Sequence, residues 1–292
     1  MPFIFDFDSV TPMGFVICLL ASAIWGMAFV AQSVSFDIVG PWTFNGIRFF
    51  IGFLVLVPLV IKRKDKIRSS IKGGCFCALA ITLACVIQQA GIGLLPTGKA
   101  GFITSLYMVL VPFFAVVTGK KVTGKNWFCV LCALFGLFLL CGASLDGFGK
   151  GEMLMSLCAC FFALQILLVD HFQEADPLVL SAFQFLFASL ICLPVGCALE
   201  HPDFSALYSA AIPILYTGIM STGVAYTLQA VGQRMIGPSL AVIPLSMESV
   251  FSALFGLMML GQRLRPVEVF GCAVVFFAVI LSQIDPKKLV KQ

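Results

Sequence analysis

The chain has 292 residues, of which 60% are hydrophobic and only 11% charged, with a formal net charge of +4 and a mean hydropathy of +1.06. A soluble domain carries about a quarter charged residues, so this chain cannot clothe a water-facing surface and its solvent is expected to be lipid. The small positive balance sits in short stretches beside apolar runs, which excludes a nucleic-acid face and points to a membrane surface.

In chain order, ten apolar segments approach the roughly 20 residues that a bilayer crossing needs. They are 13–34, 41–61, 73–95, 100–118, 127–143, 153–170, 178–199, 209–230, 238–260 and 267–284. The fifth, sixth and tenth are the shortest. The first dozen residues, MPFIFDFDSVTP, lack the basic stretch of a cleavable signal peptide, and none is expected. Connections are brief, and the longest is KRKDKIRSSIK at 62–72. With both termini cytoplasmic, the inner connections and tail hold thirteen Lys and Arg residues and the outer ones four, Lys99, Lys150, Arg263 and Arg265. Arg48 completes the eighteen. The positive-inside rule therefore sets that orientation, decided mainly by the first half.

The pattern repeats. Shifted by 136 positions, PWTFNGIRFFIGFLVLVPLV (41–60) lies over PLVLSAFQFLFASLICLPVG (177–196), with Pro41 on Pro177, Phe49 on Phe185 and Pro58 on Pro194. Two units result, 1–147 and 148–292. Five crossings is an odd number, so the second copy is expected upside down relative to the first. The expectation is an all-α integral membrane protein of ten transmembrane helices in two inverted five-helix repeats, an architecture of transporters with a midplane site.

These residues resemble the drug/metabolite transporter superfamily, and within it the ten-helix EamA-type members. The resemblance is carried by ASAIWGMAFVAQ (21–32), the Pro41…Arg48-Phe49 pattern, AGFITSLYMVLVPFFAVVTGKK (100–121) and LSMESVFSALFGLMMLGQRL (245–264). It spans essentially the whole chain. It implies a solute carrier of an inner or plasma membrane, commonly an exporter of amino acids or related metabolites. The chain departs from the family at Gln262, where an acidic residue is frequent.

Two charges lie deep in spans. Arg48 is one helical turn from Asn45, and it either snorkels to the headgroups or turns inward as a structural polar group with Asn45. Its repeat counterpart, Gln184, is also polar, which favours the interior. Glu248 sits ten residues into the ninth span and is the candidate proton carrier, unless Ser246, Ser249 and Ser252 hold it in a structural role. Polar stripes mark the rest of the interior. Trp25, Phe29 and Gln32 share one helical face, as do Thr222, Tyr226, Gln229 and Gln233. Gln88 or Gln89, Tyr107 and Gln165 each add one group. Interhelical hydrogen bonding is the plain alternative, but the set as a whole is read as the lining of a substrate cavity.

No catalytic, metal or cofactor constellation is expected. The twelve cysteines fall inside apolar runs, where a secreted disulfide framework would not place them. Cys129 and Cys132 have CxxC spacing but no second pair nearby. The stretch GLLPTGKA (93–100) falls short of a phosphate loop, because Ala100 stands where Ser or Thr would bind magnesium. Lys99 is expected to anchor the fourth span at the interface. Prolines 112 and 244 interrupt the fourth and ninth spans, at positions that are not equivalent in the repeat. The partners are thus a small solute and membrane lipid, in a monomer or homodimer. A secondary transporter is the leading function, with a passive channel or an intramembrane enzyme as alternatives.

Overall fold

The computed structural model describes residues 7–119, 121–140 and 149–283. The division at 147/148, Cys141, and the basic residues Lys120, Lys287, Lys288 and Lys291 lie outside them. The described residues are helical throughout apart from short connections. In order the helices are α1 (Phe7–Ser35), α2 (Pro41–Ile61), α3 (Ile67–Ile92), α4 (Thr97–Thr104), α5 (Tyr107–Val117), α6 (Gly124–Leu140) and α7 (Lys150–His171). The chain continues as α8 (Pro177–Leu199), α9 (Phe204–Ser209), α10 (Ala211–Tyr216), a π-helical stretch (Thr217–Ala225), α11 (Tyr226–Ile236), α12 (Pro238–Leu245), α13 (Glu248–Leu260) and α14 (Pro266–Gln283).

Each of the ten apolar segments falls on a helix or a broken helix. Eight are long and apolar enough to span a membrane, while Gly124–Leu140 and Pro266–Ser282 are shorter apolar helices. The protein is a multi-pass, all-helical membrane protein. Two boundaries differ from the sequence reading. The sixth segment runs longer than expected, as the 22 residues of α7. Much of the 62–72 connection is also helical, since Lys64–Lys66 forms a single tight turn and α3 begins at Ile67. Straight side chains such as Arg68 and Lys72 cost little in a helix and lead it out beyond the apolar run.

The packing has an internal order. Helix α2 lies antiparallel to α8: Ser189 Oγ donates to the Gly46 carbonyl at 3.0 Å, and Phe49 stacks on Phe185 with ring centres 6.3 Å apart and planes 7° from parallel. Phe49 and Phe185 are the very residues that the 136-position shift superimposes. The shorter helices α6 and α14 are also antiparallel neighbours, with Lys125 donating to the Ser282 carbonyl at 3.1 Å and Gly271 against Leu139 and Leu140. At one end of the α2/α8 pair, Asp176 caps α8 by accepting from the backbone of Leu178 (3.0 Å) and Val179 (3.2 Å), and it pairs with Arg63 at 3.5 Å. At the other end the cap comes from across the pair. Glu200, at the end of α8, accepts from the backbone of Trp42 (2.9 Å) and Thr43 (2.7 Å) at the start of α2. Gly40 precedes α2 with no side chain of its own, because the Glu200 carboxylate fills the place of a Cβ. A carboxylate suits a helix N-terminus, where unpaired N–H groups carry partial positive charge.

Candidate functional site

The fourth and ninth spans are broken at matching places. In the fourth, Leu106 N–H reaches back only three residues to the Ile103 carbonyl (3.2 Å) and Met108 to Ser105 (3.0 Å). In the ninth, Met247 binds Pro244 (3.3 Å) and Ser249 binds Ser246 (3.2 Å). A shift of 141 carries one pair of tight turns onto the other. The elbows are therefore equivalent although Pro112 and Pro244 are not: Pro244 immediately precedes its elbow, whereas Pro112 lies a turn and a half beyond. The first residues after the elbows, Tyr107 and Glu248, open α5 and α13 and face one common cavity.

That cavity draws its lining from both halves. Trp25, Phe29 and Gln32 come from α1, Arg48 from α2 and Gln88 from α3; Tyr107 comes from α5, Gln165 from α7, Tyr226 and Gln229 from α11, and Glu248 from α13. The spacing Trp25, Ala28, Phe29 on α1 recurs as Phe162, Gln165, Ile166 on α7, and all six line it. It measures about 30 Å³, room for about two waters. As it stands, the space is closed down around its own side chains.

Arg48 does not snorkel. It is 1% exposed, and its terminal nitrogens donate to Gln32 Oε1 (3.1 Å) and toward Cys85 Sγ (3.0 Å), with the guanidinium 5.3 Å from the Phe49 ring centre. Its Nε has no partner, and no ion pair among the described residues includes it. Asn45, the other polar group of that turn, binds the Pro41 (2.7 Å) and Cys85 (3.1 Å) carbonyls behind it.

Glu248 is 4% exposed. Its partner is a serine other than the three expected: Ser105, on the opposite elbow, donates to Oε1 at 3.3 Å. Ser246 turns back to the Ile243 carbonyl (2.7 Å), while Ser249 and Ser252 bind the carbonyls of Gly101 (3.1 Å) and Thr97 (3.2 Å). These serines lock α13 onto α4, as short hydroxyl side chains on facing helices do in membranes. Tyr107 Oη faces the Glu248 carboxylate from the other elbow, and Gln229 Oε1 borders the cavity without a hydrogen-bond partner.

Other sequence candidates sit behind the lining. Gln89 donates to the Gln32 carbonyl (3.1 Å) and Gln233 to the Ile166 carbonyl (2.7 Å), so both hold helices together. Gln184 Oε1 accepts from Gln165 (3.1 Å), whose own Oε1 accepts from Gln229 (3.2 Å). Lys99, expected as an interfacial anchor, pairs with Glu152 at 2.6 Å across α4 and α7. Gln262, the departure from the family pattern, accepts from Thr97 Oγ1 at 2.8 Å. Sequence reasoning missed Thr104, Phe162 and Ser221 in the lining. Ser221 is there because the π-helical stretch turns its carbonyl toward Trp25 Nε1 (3.3 Å), and such bulges cluster at functional sites.

Comparison with known proteins decides the family. A model of the EamA-like transporter family matches residues 12–142 and, a second time, 149–283. The chain belongs to the EamA-like transporter family. Among curated proteins, an uncharacterized transporter of Archaeoglobus fulgidus is 33% identical over 263 residues, covering 90% of this chain and 83% of that one. The Bacillus subtilis uncharacterized transporter YoaV is 22% identical, covering 89% and 92%. One solved crystal structure shares the fold with a TM-score of 0.77 at 20% identity, over 97% of this chain and 99% of that one. This EamA-like chain is thus a multi-pass membrane protein of a transporter family, and its kinship points to transport rather than catalysis.

Proposed function

We propose that the protein is a secondary transporter in which two inverted five-helix halves, 1–147 and 148–292, alternate access to the central cavity. The solute is a small amphiphilic metabolite, of the size and charge pattern of an amino acid, and it is exported across an inner or plasma membrane with both termini cytoplasmic. Supporting the inversion, equivalent residues Phe49 and Phe185 meet on antiparallel helices, and the two elbows match in register. The observation that carries the reading is the cavity itself. Contributed by both halves at the elbows, it has Arg48 in one wall and Glu248 in another, with the aromatic pair Trp25 and Tyr226 (ring centres 4.7 Å apart) beside them. A carboxylate is recognised at Arg48, an ammonium or a proton at Glu248, and the apolar body by the rings. Because the cavity is too small for such a solute as it stands, binding requires the elbows to move.

A thermal-shift screen of amphiphilic metabolites, followed by counterflow in proteoliposomes, tests the function. Trans-loaded solute stimulates uptake by a carrier and leaves a pore unaffected. With Glu248→Gln, exchange of solute persists while uphill movement driven by a pH gradient is lost; undiminished uphill transport in that variant removes Glu248 from the coupling. The inverted arrangement has its own check. In a cysteine-free background, Lys64→Cys reacts with a membrane-impermeant maleimide from the cytoplasmic side and Lys150→Cys from the opposite side. Labelling of both from one side contradicts the arrangement.

A further inference from the structure

A groove separate from the central cavity runs along the lipid-facing side of the bundle, between α5 and α7. It holds about 720 Å³ and is open along one side. Its walls are Phe114 from α5 and Cys160, Leu164 and Leu168 from α7, and its one polar end is formed by Thr118 and His171. Phe114 and Leu164 are 42% and 45% exposed, on two candidate spans, so what meets them is hydrocarbon. From the polar end at His171 to Cys160 is eleven residues, a rise of about 16 Å at 1.5 Å per residue. One leaflet of the hydrocarbon core is about half of 30 Å. The groove therefore begins where headgroups lie and ends near the midplane. In the corresponding seam of the other half, between α1 and α13, Gly26 brings the two backbones into close contact.

We propose that this groove is a binding site for one acyl chain of a membrane phospholipid, whose headgroup lies at Thr118 and His171. The depth matches one chain of one leaflet, and the lining is apolar everywhere except at the interfacial end. An acyl chain seated between two helices gains more close contacts than one against a flat wall, since both helices touch it.

The test uses the full chain in nanodiscs of phosphatidylethanolamine and phosphatidylglycerol, doped with a trace of phosphatidylglycerol carrying a mid-chain diazirine. After photolysis, cross-links are mapped by mass spectrometry. The yield at Phe114 and Leu164 exceeds that at the comparably exposed Leu131 and Phe135 of α6 by about fivefold, the ratio that 1 kcal/mol of preference gives. Equal yields over these positions overturn the proposal and leave only ordinary boundary lipid. Filling the groove with Leu164→Trp and Leu168→Phe brings the Phe114 yield down to the α6 level, and an unchanged yield also overturns it. If the filled variant does not fold, the parent protein's ratio decides alone.

Discussion

Replacing Arg48 by methionine weakens solute binding at least about 30-fold while leaving the unliganded protein as stable as the parent, or more so. The guanidinium is 1% exposed, with one amide and one thiol as partners and an unpaired Nε. Taking such a charge out of water costs several kcal/mol that only a close opposite charge repays, and none is paired with it among the described residues. Methionine fills a similar volume without that cost and is adaptable enough to pack against Phe44 and Phe49. The protein therefore keeps the arginine for something that arrives. Losing a buried, charge-assisted contact to an anion costs about 2–5 kcal/mol, at least about 30-fold in Kd. The measurement pairs the melting temperature of the empty variant with its affinity for whichever solute shifts the parent. A large drop in melting temperature with affinity retained would instead make Arg48 a structural pin, the role that the sequence suggested for it.

Gly26→Val is strongly destabilising, because α1 and α13 touch backbone to backbone at that position. A Cβ at position 26 lies 2.8 Å from the Phe251 backbone carbon and 2.9 Å from Ser252 N, so backbone rather than a flexible side chain has to yield. Overpacking a core usually costs 1–3 kcal/mol. Close helix contact through small residues is also a main source of association between membrane helices, so about 3 kcal/mol or more is expected here. Gly124→Val is the matched control, because an added Cβ there meets nothing within 4 Å. Denaturation in mixed micelles should separate the two variants clearly, and equal stability would mean that α1 and α13 are not in contact.

Hydropathy alone located the helices, because a lipid solvent demands long apolar runs and leaves few alternatives. The polar stripes were legible for the same reason: Trp25, Phe29 and Gln32, or Tyr226 and Gln229, keep helical spacing on an otherwise oily background, and they do face one cavity. Legibility stopped where backbone geometry departs from the regular helix. The elbows at 105–106 and 246–247 are made by three-residue hydrogen bonds that no single residue type announces, so the prolines pointed to the right spans but not to the right turns. Ser221 owes its place to a π-helical stretch, which shifts the register of everything beyond it. Gln88 and Gln89 are about 100° apart around α3, so a stripe with one member could not say which of them faces inward. Partners across spans, such as Cys85 for Arg48, Ser105 for Glu248 and Glu152 for Lys99, depend on packing that one helix does not encode.

The matched elbows carry different side chains, tyrosine at 107 and glutamate at 248. A duplicated scaffold thus encloses a chemically one-sided interior, with its single acid nearer to one copy than to the other. In the inverted arrangement proposed above, this pair joins Arg48 and Gln184, and Trp25 and Phe162, in presenting different groups to a molecule that enters from either face. Together these exchanges give the path a front and a back.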